Sequence, residues 1–206
     1  MIFVLICLIF MNYGNYYIND IPQELGDYFT DYFHKTPQDV EFLYSLYSLF
    51  ALPMTLLGGL IVTRWSPRGA GAALTFLICL SSYVTWYGSL RVDGRSEDAP
   101  QGRYGYILIG RMVFGLAAEV NEVAQNALIN TWFDGKILSV AAGLAQLMNN
   151  VGQGCSQFFS GRIEKLRGEV SDSYLGGVLI CTIAFVLIFI FVFIDKKYSK
   201  SIHQER

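Results

Sequence analysis

No Cys-x-x-Cys pair occurs in this 206-residue chain. Cys7, Cys79, Cys155 and Cys181 stand singly inside apolar sequence, which excludes a disulfide framework and a thiolate metal site and leaves them as small interior residues. Excess charge of either sign is also missing. Fifteen Lys and Arg against seventeen Asp and Glu give a net charge of -2, and no basic patch is interleaved with aromatics, so a nucleic-acid partner is excluded. Nor is there a secretory signal. Residues 1–10 are apolar, but they have no basic start and no small-residue cleavage site, and Asn12, Tyr13, Gly14 and Asn15 follow. The stretch reads as a first membrane helix.

Apolar length is what the chain has in abundance. Hydrophobic residues make up 53% of it, against about 45–50% in soluble domains, and the mean hydropathy is +0.38. The spacing of charge decides the class. Residues 1–19, 42–63, 69–90, 137–161 and 173–194 are uncharged runs of 19, 22, 22, 25 and 22 residues, and about 20 apolar residues cross a bilayer as a helix. Adding 104–133 predicts six spans: an all-α polytopic membrane protein with a six-helix unit over 1–195 and a cytoplasmic tail over 196–206. Its first partner is the lipid bilayer.

With both termini cytoplasmic, the basic residues divide seven inside and seven outside, so loop charge alone does not orient the chain. The charged tail after the sixth span favours a cytoplasmic C-terminus. Thr36-Pro37-Gln38-Asp39 predicts a helix start, and Leu25, Tyr28, Phe29, Tyr32 and Phe33 fall at the spacing of a short amphipathic piece before it. Pro53 predicts a kink in the second span. Residues 91–103 predict a flexible polar loop, and 199–206 a disordered end.

The spans differ in their polar faces. At 100° per residue, Arg111, Gly115, Glu119, Glu122 and Asn126 lie within roughly 80° of arc on the fourth. The fifth aligns Gln146, Asn149, Asn150, Gln153 and Gln157. The first carries Asn12, Asn15, Tyr16 and Asn19, and the second Tyr44, Ser48 and Thr55. The third and sixth have no such stripe. A charge at mid-bilayer costs about 2.5–3.5 kcal/mol or more, so the four polar faces must turn toward one another. Two readings of the amides stand: hydrogen bonds that join helices, or the lining of a polar cavity enclosed by helices 1, 2, 4 and 5, with helices 3 and 6 outside against lipid. In-line glutamates favour the cavity.

These residues carry a resemblance. GRMVFGLAAE and GGLIVTRWSPRG are similar to the fourth-helix motif and the loop signature between helices two and three of the major facilitator superfamily. NYYINDIPQEL, FLYSLYSLFALPMTLLGGL, GRMVFGLAAEVNEVAQN and NTWFDGK resemble its lysosomal dipeptide transporter branch. The resemblance implies half of the superfamily fold, six helices as a 3+3 repeat, in a lysosomal or other endomembrane. It implies that Glu119 holds the amino group of a dipeptide or similar zwitterion. The polar faces add Glu122, which has no acidic counterpart in that branch, and Asn126, Gln146, Asn150, Gln153, Asn15, Tyr16, Tyr44 and Ser48 as candidates around the substrate. Arg111 and Arg64 become coupling or structural groups, and for Arg111 an intramembrane network with the glutamates is the rival reading. Glu122 either shares a proton with Glu119 or faces the cytoplasmic vestibule.

Three features depart from the resemblance. Thr63 stands where the loop signature has an aspartate, Asn150 where the branch has an arginine for the substrate carboxylate, and Gly143, Gly152 and Gly154 come without the proline of a proton-antiporter signature. A complete carrier has twelve helices, so a fragment of one is expected. The rival is a non-transporting scaffold or pseudotransporter half. An intramembrane protease is excluded, because His34 and His203 lie outside the spans and no Gly-x-Ser-Gly turn exists. No enzyme chemistry, metal or organic cofactor is implied. Candidate partners are a C-terminal transporter half, a homodimer mate, or a glycosylated accessory membrane protein. The last would shield loops that contain no Asn-x-Ser/Thr acceptor.

Overall fold

The computed structural model describes residues 2–90, 99–167 and 170–204. They form eight helices: α1 (Ile2–Phe10), α2 (Tyr13–Glu24), α3 (Gly26–Asp31), α4 (Pro37–Trp65), α5 (Pro67–Ser89), α6 (Ala99–Trp132), α7 (Gly135–Arg167) and α8 (Val170–Gln204). Taking α1 and α2 together, four segments among the described residues are long and apolar enough to cross a membrane: Ile2–Glu24, Pro37–Trp65, Pro67–Ser89 and Ser171–Lys196. The helices α6 and α7 are long enough, at 34 and 33 residues, but Arg111, the glutamates and the amide stripes lower their apolarity.

Several expectations are corrected. A break falls at Met11–Asn12, between α1 and α2, within the stretch expected to be one unbroken first span, and α4 contains Pro53 without interruption. A proline removes one amide donor, and the helix continues on either side of it. The fourth helix starts at Ala99, so only residues 91–98 of the expected loop remain, and they lie outside the described residues. The helix α8 continues to Gln204, through most of the segment expected to be disordered.

Helix starts follow local chemistry. The Asp39 carboxylate accepts from the Thr36 amide and hydroxyl at 2.8 and 2.9 Å, capping α4 as the sequence predicts. Ser66 begins α5 with φ 69°, a left-handed backbone rare for a non-glycine residue. Its Oγ accepts from the Gly69 amide at 3.4 Å. Beside it, Arg68 pairs with Asp195 at the far end of α8. Before α4, the short α3 buries Phe29, and Phe33 follows it. Both rings pack on Tyr104 of α6.

Helix α6 packs on α5 and α4, while α1 and α2 pack on α7 and α8. The helix α5 meets α8, and the neighbours α4–α5 and α7–α8 also touch. The third span is therefore not peripheral within this chain. Half of its most apolar stretch is buried, against 17% for α4. Small side chains explain this: a Cβ on Gly110 would meet Thr85 and Ser81, and one on Gly88 would meet the Arg103 carbonyl, so α5 and α6 approach almost backbone to backbone. Val186 and Phe189 of α8 do face outward, 48% and 61% exposed.

Candidate functional site

Three polar groups are strung along α6. The first centres on Arg111, which is 2% exposed. Its Nη1 donates to Asn19 Oδ1 at 3.1 Å and its Nη2 to the Asn19 carbonyl at 2.8 Å. The guanidinium lies over the rings of Tyr44 and Phe114, 5.2 and 5.8 Å from their centroids. Asp20, buried next to Asn19, accepts from Gln157 of α7 at 3.1 Å and from Asn19 itself at 3.4 Å. Helix one is thus tied at this level to both α6 and α7.

Two turns along α6 is the carboxylate face. Glu119 accepts from the Tyr47 hydroxyl of α4 at 2.5 Å, and Glu122 accepts from the Tyr16 hydroxyl of α2 at 2.9 Å. Both carboxylates are half-buried. Gln146 of α7 lies beside the Tyr16 phenol at the exposed edge of this face. Gly115 makes the first of these bonds possible, because a Cβ there would sit 2.5 Å from the Tyr47 carbonyl oxygen. Its absence lets α4 come close enough to lay the phenol on Glu119, one turn further along.

The third group is fully buried and neutral. Asn121 Nδ2 donates to Asn12 Oδ1 at 2.6 Å, Asn12 Nδ2 to Gln125 Oε1 at 2.9 Å, and Gln125 Nε2 to the Leu8 carbonyl at 2.6 Å. Thr75 of α5 stands at the edge of the group, its one hydroxyl proton shared between the Gly71 carbonyl at 2.8 Å and Asn121 Oδ1 at 3.2 Å. Helix one is interrupted at Met11–Asn12, where the Leu8 carbonyl accepts from the Met11 amide three residues on, at 3.3 Å. The Gln125 amide is a second and closer donor to the same carbonyl.

The structure therefore brings Glu119, Glu122, Tyr16, Tyr44, Arg111 and Gln146 into one neighbourhood. Asn15 is buried on α2 and Gln153 half-buried on α7, while Asn126, Asn150, Ser48 and Arg64 are exposed. Sequence reasoning missed Tyr47, Asp20, Asn121 and Gln125. Tyr47 was within reach, since it sits three residues from Tyr44 on the same helical face. Asn121 and Gln125, four residues apart, form a second polar stripe that the charged one obscured. A separate cavity of about 470 Å³ opens where α2, α3 and α4 meet, lined by Gln23, Asp27, Thr30, Glu41 and Tyr44 among others. Among the described residues, no group of three His, Cys, Asp or Glu side chains could hold a metal ion.

Long helices thus gather an arginine, two carboxylates and their phenols on faces turned toward one another. The sequence matches the Major Facilitator Superfamily over residues 2–206, and the chain belongs to that family. Curated relatives include the lysosomal dipeptide transporters MFSD1 of Mus musculus and Homo sapiens, each 24% identical over 98% of the chain, and that of Danio rerio, 25% identical over all of it. The chain spans about 44% of the length of each.

Proposed function

We propose that the chain forms one six-span half of a solute carrier of a lysosomal or other endomembrane, with Glu119 receiving the ammonium of a dipeptide or similar zwitterion. The observation that carries this reading is the pair of phenol-capped carboxylates on α6. A phenol is a neutral donor, whereas an ammonium brings three donors and a positive charge and makes the stronger bond to a carboxylate. Tyr47 holds Glu119 in place when no substrate is present, and a substrate cation replaces that bond. Glu122, one turn away, tunes or relays protons. The names of the relatives support dipeptides as the solute.

A 3+3 repeat is supported by the helix pairings. Exchanging spans 1, 2 and 3 with spans 4, 5 and 6 turns the packing of the second on the fourth into that of the fifth on the first. It likewise turns third-on-fourth into sixth-on-first, and second-on-third into fifth-on-sixth. A second half, contributed by more chain, a homodimer mate or another subunit, completes the path by alternating access, and a glycosylated accessory protein shields the loops. Asn150 offers a carboxylate hydrogen bonds without charge, so the substrate's acid end is held more weakly than its amine.

The test is Glu119→Gln in the reconstituted full-length protein. Uptake of substrates with a free amino terminus falls severely, while amino-acetylated analogues are poor substrates of both forms. Normal uptake by a stable variant refutes the assignment.

A further inference from the structure

We propose that the buried knot of Asn12, Asn121, Gln125 and Thr75 is a positioning device that fixes the break in helix one so that Tyr16 lands on Glu122. The inference rests on the reading of Glu122 as part of the solute site.

The argument starts from the break. At the break the Leu8 carbonyl accepts from the Met11 amide at 3.3 Å, a tighter turn than that of an α-helix, so contacts from neighbouring helices help to set the angle and rotation of α2. On the α6 side these come from Gln125, which takes the Leu8 carbonyl, and Asn121, which takes the Asn12 side chain. All four knot residues are at most 2% exposed, so water does not compete for these bonds. The other neighbours are fitted as closely. A Cβ on Gly71 of α5 would stand 3.0 Å from Met11 Cε. One on Gly152 of α7 would stand 2.6 Å from the Tyr13 carbonyl oxygen, and one on Gly14 would meet the Cys181 backbone of α8 at 3.1 Å. Four helices thus clasp residues 11–14, which describes a fixed bend and not a loose joint.

Tyr16 lies four residues after Asn12, one turn into α2, and its amide donates to the Asn12 carbonyl at 3.1 Å. On α6, Glu122 lies between Asn121 and Gln125. The phenol–carboxylate bond is therefore set between two ends that the knot holds together. Glu119 provides the contrast: its phenol comes from α4, which the knot does not touch.

Carbodiimide labelling of the full-length protein in native membranes, quantified by peptide mass spectrometry, tests the device without any transport measurement. The reagent modifies a protonated, uncovered carboxyl group, so removing the phenol raises the rate. Tyr16→Phe raises labelling of Glu122 several-fold and leaves Glu119 unchanged. Gln125→Met raises Glu122 to a similar extent, and adding Tyr16→Phe to it raises it little further, because both act through the same bond. Thr75→Val, which removes one hydroxyl at the edge of the knot, gives a smaller rise of the same kind and serves if Gln125→Met does not fold. A general loosening of the bundle raises Glu119 and Glu122 together, and that result overturns the proposal. So does an unchanged Glu122 rate in the knot variants, or in Tyr16→Phe. Failure of the solute assignment is read separately, from uptake by Glu119→Gln.

Discussion

Helix α6 carries two polar clusters within two turns, and they are built on opposite terms. The amide cluster of Asn121 and Gln125 is neutral, sealed and bonded on every side to helices one and three. The carboxylate cluster of Glu119 and Glu122 is charged and half-open, each acid held by a single phenol hydroxyl. Burial accounts for the division. A neutral amide can be buried at little cost if its donors and acceptors are matched, whereas an unpaired carboxylate in low dielectric costs several kcal/mol. Matched amides suit fixed structure. Carboxylates at a half-open face are left with bonding capacity that a ligand can use.

The widest separation between the clusters comes from their most telling substitutions. Glu119→Gln removes a charge-assisted bond to substrate of about 1.5–3 kcal/mol, roughly a 10- to 100-fold loss of uptake. The melting temperature in detergent stays within about a degree. A large fall in melting with normal uptake would instead place Glu119 with the amides. Gln125→Leu does the reverse. It leaves the Asn12 amide without its acceptor and the Leu8 carbonyl with the Met11 amide alone, about 1–3 kcal/mol for a buried group left bare, and melting falls by about 2–4 °C for each kcal/mol at this chain length. Circular dichroism or differential scanning fluorimetry reads the shift.

Smaller effects sharpen the comparison. Thr75→Val removes a hydroxyl shared between its own helix and Asn121, at most one interhelical bond of the sort worth about 0.6 kcal/mol in membranes, so its melting shift is a fraction of that of Gln125→Leu. Asn126→Ala, on the same stripe as Glu119 but exposed, changes stability by less than about 0.5 kcal/mol. A cost for Asn126→Ala equal to that for Gln125→Leu would show that position on the stripe, and not burial, decides which polar groups support the fold.

Uncharged runs of 19 to 22 residues were enough to read the four most apolar helices, because crossing hydrocarbon is a matter of length and of solvation of each side chain by itself. The capping of α4 by Thr36 and Asp39, the shared face of Arg111, Glu119 and Glu122, and the family resemblance were legible for the same reason: each rests on residues close in sequence. Helical spacing gives the angle at which a side chain leaves its helix. It does not say which helix waits there, nor how near. Only the tertiary structure decided that α5 is half-buried, that Tyr47 caps Glu119 because Gly115 admits the α4 backbone, and that helix one breaks at Asn12. The partners that hold that break, Gln125 and Asn121, lie 113 and 109 residues from Asn12, and a bond across such a separation exists only once the helices have packed.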